Sequence, residues 1–292
     1  MSSTPIARVL EPEVMDTAEE AHDYDAMDHA GVNAAFCDDL LAARPSPLWV
    51  LDLGTGTARI PLTLCQKCPG VRVVATDLAH HMLRLAEVNV ARAGLADRIT
   101  LRLDDAKAPK PHAEPFDVVA SNSVVHHIPE PQHALAVWWE KVPPGALFFV
   151  RDLLRPDTEA DVLALVERHG GPTPEDASSP LIFSRRPLAA ASRPPSLRPS
   201  GACSPTEVGS ARSSDRASAD RAQTANSLGP NNQLAAAARA SHERQLELFR
   251  ASLRAALRLD EVQDIARSLG IPEGAVTRTS DRHFTLAYER PR

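Results

Sequence analysis

Between residues 48 and 150 the chain holds five short apolar runs, and helical patterns fill most of the gaps between them. The runs are 48–53, 71–76, 99–103, 116–120 and 146–150. Helical periodicity covers 57–67, 80–93 and 131–141. Stop signals close each helix: Pro69-Gly70, then Gly94, then Pro143-Pro144-Gly145. Strands and helices alternating at this spacing predict a mainly parallel sheet covered by helices on both faces. Two more helices are expected at 234–257 and 259–269, followed by strands near 275–279 and 284–289. Asp281-Arg282 joins those last strands too tightly for a crossover helix, so they pair as an antiparallel hairpin. The predicted fold is α/β, a doubly wound sheet of seven strands.

With 292 residues, 43% of them hydrophobic, the chain can bury a sizeable core. Four stretches are expected: a helical lid over 1–45, a core over 46–170, an insertion over 171–230, and 231–292 completing the core domain. The insertion is rich in Ser, Pro, Ala and Arg, with nine Pro and twelve Ser but only seven Val, Ile, Leu or Phe. Such a stretch buries too little apolar area to offset its ordering entropy, so it is read as disordered.

Charge narrows the partners. The net charge is −6, and residues 11–43 hold ten Asp or Glu and no Lys or Arg. Such a surface repels phosphate backbones, and aromatics at 4% leave few platforms on which bases stack. No nucleic-acid partner is expected. No apolar run approaches the ~20 residues of a membrane span, so no membrane partner is expected either. The N-terminus lacks a basic head with an apolar stretch behind it, which suggests a cytoplasmic protein. Cys65 and Cys68 have CxxC spacing, but Cys37 and Cys203 offer no second ligand pair. They read as small helix residues. No His, Asp or Glu cluster has metal-ligand spacing, so no metal is expected.

The first strand runs into Asp52-Leu53-Gly54-Thr55-Gly56-Thr57. A strand-to-helix turn needs glycine where φ is positive or where a ligand approaches the backbone. In a doubly wound sheet a nucleotide-like ligand binds there. The second strand ends at Asp77, whose carboxylate can accept from both hydroxyls of a ribose. A dinucleotide fingerprint needs a small third residue, and Arg59 stands there instead. Asp52 beside the loop disfavours a pyrophosphate. S-adenosylmethionine (AdoMet) carries an ammonium and a sulfonium and no phosphate, so an acidic loop suits it.

Taken together, these motifs resemble the class I AdoMet-dependent methyltransferase family, of Rossmann-like fold. Val50 to Thr57 is similar to its glycine-rich first motif, and Val74-Ala75-Thr76-Asp77-Leu78 to its second-strand motif. The resemblance implies that Asp52, Gly54, Thr55 and Gly56 contact the cofactor, that Asp77 holds the ribose, and that Leu78 packs on adenine. It implies that Asp105 accepts from the adenine amino group and that Ala106 offers its backbone N–H. Phe116 to Asn122 resembles the fourth-strand motif, whose end at Asn122 lies beside the methyl group. Val142 to Leu147 resembles the family's leucine-proline-glycine-glycine turn, with Pro144 replacing the first glycine. Everything but the insertion is covered. The chain is most similar to a bacterial, small-molecule-type subgroup sharing Arg8-Val9-Leu10-Glu11-Pro12-Glu13, Tyr24-Asp25-Ala26-Met27-Asp28 and Val125-His126-His127-Ile128-Pro129. The subgroup gives no substrate.

Methyl transfer is an in-line displacement, and a base is needed only if the acceptor must lose a proton. His126 and His127, just past the fourth strand, are the candidate catalytic residues. Tyr24, in the lid, is expected to stack near the cofactor. Arg151 and Asp152 end the fifth strand, either as a buried pair shaping the pocket or as substrate contacts. His283 is placed on the acceptor side, and His80 and His81 open a helix. Ser121-Asn122-Ser123-Val124 lacks the proline pair and aromatic of enzymes that methylate exocyclic base amines. The acceptor is therefore expected to be a small molecule. Two other functions fit less of the sequence: an NAD(P)-dependent oxidoreductase, and a non-catalytic AdoMet-binding regulatory protein. Oligomeric state is not readable.

Overall fold

The computed structural model describes residues 5–11, 16–27, 29–171 and 230–292. The insertion reading falls on 172–229, outside the described residues, and so do Cys203, Asp28 and the 12–15 part of the N-terminal motif. Residues up to 171 and from 241 onward form one compact unit; 172–240 form a second, whose described part is helical.

The first unit is built on a seven-stranded sheet of order β3-β2-β1-β4-β5-β7-β6. Its strands are β1 (Trp49–Leu53), β2 (Arg72–Asp77), β3 (Ile99–Leu103), β4 (Val118–Asn122), β5 (Leu147–Leu153), β6 (Val276–Arg278) and β7 (His283–Glu289). β1 to β5 are parallel, and β7 pairs antiparallel with both β5 and β6. This is the predicted class and the predicted hairpin. Chain order reverses between β1 and β4, which opens a crevice at the carboxyl ends of those strands.

The helices are α1 (Ala18–Ala26), α2 (Ala30–Ala43), α3 (Arg59–Lys67), α4 (His80–Arg92), α5 (Pro131–Lys141), α6 (Glu159–His169), α7 (Pro230–Ala255) and α8 (Leu259–Ser268). None among the described residues is long and apolar enough to cross a membrane. Alternate strand residues feed two cores. Leu51, Leu53, Val74, Phe148 and Val150 pack with Trp138 of α5 and Val262 of α8. Val50, Val73, Ala75, Val118 and Phe149 pack on the other face with Phe36 of α2 and Leu64 of α3.

Several boundaries move for physical reasons. α3 begins at Arg59, two residues later than periodicity suggests, because Ala58 sits at φ +63° and cannot belong to a right-handed helix. β4 continues to Asn122 because its pairing with β5 continues to Asn122↔Arg151. β5 reaches Leu153 because β7 pairs along its whole length. α2 lies within the stretch read as a lid. Its Phe36, Cys37 and Leu40 are fully buried, so it forms part of the layer over the sheet. α1 packs Ala21 and Tyr24 against Ala79 and Met82, and the first turn of α2 borders the crevice through Ala30 and Asn33.

Candidate functional site

The loop after β1 is shaped by left-handed backbone. Gly54 has φ +74° and Gly56 has φ +56°. A Cβ on Gly54 would lie 2.2 Å from Val124 Cγ2, so glycine is what lets the loop pass under the turn after β4. Gly54 N and Thr55 N both donate to Thr76 O, at 2.9 and 2.8 Å, which ties the loop to β2. Asp77, at the tip of β2, accepts from Gly56 N at 2.7 Å and Ala79 N at 2.9 Å. Burial raises its pKa above the usual carboxylate range, and these backbone donors work against that rise.

Asp52 lies directly beneath the loop. It is 2% exposed, and its Oδ2 accepts no hydrogen bond. Burial, with Asp77 nearby, pushes its pKa up to about 7. A buried carboxylate without a counter-charge is costly, so this is where a cationic ligand gains most. Tyr24 comes in from α1 beside Gly56; burial and the carboxylates of Asp77, Asp52 and Asp25 push its phenol up to about 12. Arg59, too large for a dinucleotide fingerprint, opens α3 and ion-pairs with Asp25 at 2.7 Å.

On the other side of Asp77 the cleft is lined by Leu78, Met82, Asp105 and Ala106. Leu78 is 38% exposed, an apolar side chain presented to the cleft. Asp105 accepts from Lys107 N at 2.9 Å and pairs with the Lys107 ammonium at 3.2 Å. Ala106 is held by Trp138, whose indole N–H donates to its carbonyl at 2.6 Å. Asn122 lines the cleft where β4 ends, and Ser123 follows at φ +58°.

A 3-10 turn, Val125–His127, comes next. His126 is buried and meets Asp152 Oδ1 through Nδ1 at 2.5 Å. Asp152 also accepts from Val125 N at 2.6 Å and Leu153 N at 2.6 Å. Burial alone would lower the His126 pKa, but Asp152 and Glu11 raise it by more. Reciprocally, burial would raise Asp152, and His126 holds it low. His127 lines the cleft.

The structure brings Asp52, Gly54, Thr55, Gly56, Asp77, Leu78, Asp105, Ala106, Asn122 and Tyr24 around one cleft region. It separates the two histidines: His127 borders the cleft, whereas His126 is turned into the protein. It also corrects two expectations. Arg151 and Asp152 do not pair with each other, because adjacent strand residues point to opposite faces. Arg151 bonds Asp39 and Thr285, while Asp152 bonds His126. His283 stands opposite Leu153 at the carboxyl end of β5 and bonds Ser280 Oγ at 2.9 Å, and burial pushes its pKa down to about 4. Finally, a cluster with metal-ligand geometry does exist. Glu11, His126 and His127 bring donor atoms within 4.8 Å of one another. Spacing along the chain hid it, because Glu11 arrives from the far N-terminus. Arg8, also unassigned from sequence, donates to the carbonyls of Ala255, Ile128, His126 and Pro129. Both residues belong to the Arg8–Glu13 motif, the one signal that pointed to them.

Residues 50–145 match the family model of a methyltransferase domain. A release factor glutamine methyltransferase of Cereibacter sphaeroides is 45% identical over 73 residues, 25% of this chain and 26% of that protein. A trans-aconitate 2-methyltransferase of Streptomyces avermitilis is 27% identical over 121 residues, 40% of this chain and 45% of that protein. The chain thus spans about a quarter to a half of the length of these relatives. Among solved structures, phosphoethanolamine N-methyltransferase 2 of Haemonchus contortus, with phosphomonomethylethanolamine and S-adenosylhomocysteine, aligns with a TM-score of 0.43 at 19% identity. It covers 52% of this chain and 37% of that one. Over residues 50–145 the chain is thus similar to methyltransferase domains.

Proposed function

We propose that this protein is an AdoMet-dependent methyltransferase acting on a small-molecule acceptor. The observation that carries the cofactor is Asp52, a fully buried carboxylate with an unpartnered oxygen beneath a glycine loop. A cationic ligand with an ammonium group fits that deficit, and a pyrophosphate does not. Asp77 is set to hold the ribose and Leu78 to pack on the adenine, with Asp105 and Ala106 at its edge. Tyr24 and Asn122 border the region between sugar and acceptor. When bound, AdoMet supplies an activated methyl group on a sulfonium, so the protein's own work is alignment and exclusion of water. An acceptor that must lose a proton finds His127 at the cleft edge.

A small acceptor is supported by the β4 exit, Ser121-Asn122-Ser123-Val124, which carries no aromatic to stack a base. Ser121 is committed to structure, donating to Leu53 O at 2.9 Å. Titration calorimetry with S-adenosylhomocysteine tests the cofactor reading. The wild type is expected to bind, and Asp77→Ala to bind some tenfold to a hundredfold more weakly, about 1.5–3 kcal/mol for hydrogen bonds to a charged group. Failure of the wild type to bind, or equal binding by the variant, would overturn it. Labelled AdoMet with fractionated metabolite pools then tests the acceptor class, and label appearing only on protein would overturn that part.

A further inference from the structure

The cluster of Glu11, His126 and His127 has no assigned role in cofactor binding. Its three members converge from two places: the extended N-terminal segment and the turn after β4. Glu11 Oε1 stands 3.5 Å from His126 Nε2 and 3.1 Å from His127 Nδ1. Two ligands each about 2.1 Å from a tetrahedral ion lie about 3.4 Å apart, so these separations suit a shared metal. The glutamate and His126 are almost wholly buried, and His127 is 20% exposed at the cleft.

Two further observations point to a ligand. Glu11 Oε1 is buried and accepts no hydrogen bond, although two imidazole nitrogens face it. Its other oxygen accepts from Ser252 Oγ at 3.3 Å, which fixes the carboxylate. In addition, His126 offers Nε2 to the cluster while Nδ1 is held by Asp152. A carboxylate behind a ligating imidazole is the usual support of a metal-bound histidine, since it sets the tautomer and the ring orientation. The nearby cation, Arg8, is turned onto four backbone carbonyls rather than onto Glu11.

We propose that Glu11, His126 and His127 form a binding site for a divalent transition-metal ion, zinc best matching the donor set. Two imidazoles and one carboxylate leave a coordination position open, as in catalytic rather than structural zinc sites. His127 borders the cleft, so that open position faces the acceptor side. An ion there would hold an oxygen of the acceptor, a hydroxyl or a carboxylate. That role rests on the methyltransferase reading; the binding of the ion does not.

The test is made without AdoMet. Chelator-treated protein is titrated with Zn²⁺ by calorimetry against a competing chelator, and bound metal is counted by elemental analysis. Co²⁺ serves as a second probe, whose visible spectrum reports nitrogen and oxygen ligands. The expected result is one ion per chain, with affinity lost at least about a hundredfold in Glu11→Gln and in His127→Gln. Asp152→Asn, which touches only the support, is expected to lose about tenfold to a hundredfold. An unchanged far-ultraviolet circular dichroism spectrum and urea midpoint in His127→Gln show that this variant is folded. No stoichiometric ion in the wild type, or wild-type affinity in both ligand variants, would overturn the site. If the ion binds while S-adenosylhomocysteine does not, the cofactor reading fails and the metal site stands.

Discussion

Asp52 shows how one residue can carry the electrostatics of a site. Its pKa of about 7 lies well above the unperturbed carboxylate value, so the folded protein holds a proton that the unfolded chain releases. Without ligand, stability therefore falls as pH rises from about 4 through about 7, by on the order of 4 kcal/mol in all. Asp52→Asn is expected to abolish that slope, as read from urea midpoints at about pH 5 and about pH 8. A ligand ammonium favours the ionised carboxylate, so the sign reverses for binding. Affinity for S-adenosylhomocysteine, which keeps the ammonium, should weaken as pH falls below about 7, by up to about tenfold per unit. The asparagine variant should bind weakly with no such dependence. A pH-independent wild type would contradict both expectations. Asp52, Gly54 and Asp77 were legible because strand, turn and carboxylate follow one another locally. Glu11 was not, because its partners arrive through tertiary structure.

Among the elements, the decisive contacts join a loop to something distant in sequence. The loop after β1 and the turn after β4 meet at Gly54 and Val124. Gly54→Ala is expected to lower both stability and S-adenosylhomocysteine affinity, since it adds a steric clash to about 1–2 kcal/mol of left-handed strain. Val124→Ala in the same chain should recover the clash but not the strain, so the two changes are expected to be non-additive in denaturation and in calorimetry. The loop after β3 depends similarly on α5. Trp138→Phe leaves the Ala106 carbonyl without its donor and a gap in the core, for a loss of about 1–3 kcal/mol by urea denaturation. The acidic N-terminal stretch also changes meaning at this scale. Its sequence reads as an unbroken acidic surface, yet Asp16, Asp23, Asp25, Asp38 and Asp39 pair with His81, Arg244, Arg59, Lys67 and Arg151. The stretch has no Lys or Arg of its own, and its partners are supplied by α3, α4, β5 and α7.

At the scale of the molecule, the N-terminal segment fastens two halves of the unit together. Ile6 N donates to Asp157 O and Val9 N to Arg254 O, while Arg8 spans the end of α7 and the turn after β4. Arg8→Met is expected to cost about 3 kcal/mol, because buried carbonyls lose a charged donor, and to speed limited proteolysis near the N-terminus. An unchanged denaturation midpoint would rule out this fastening role. By itself the sequence determined a mainly parallel sheet with its closing hairpin, and a set of residues that gather at one cleft, because periodicity, turn chemistry and short motifs act over a few residues. Only the tertiary structure decided which way neighbouring strand residues face, which of two consecutive histidines reaches the cleft, and that Glu11 stands between them. Those outcomes depend on packing between segments far apart in the chain, where no local rule of spacing operates.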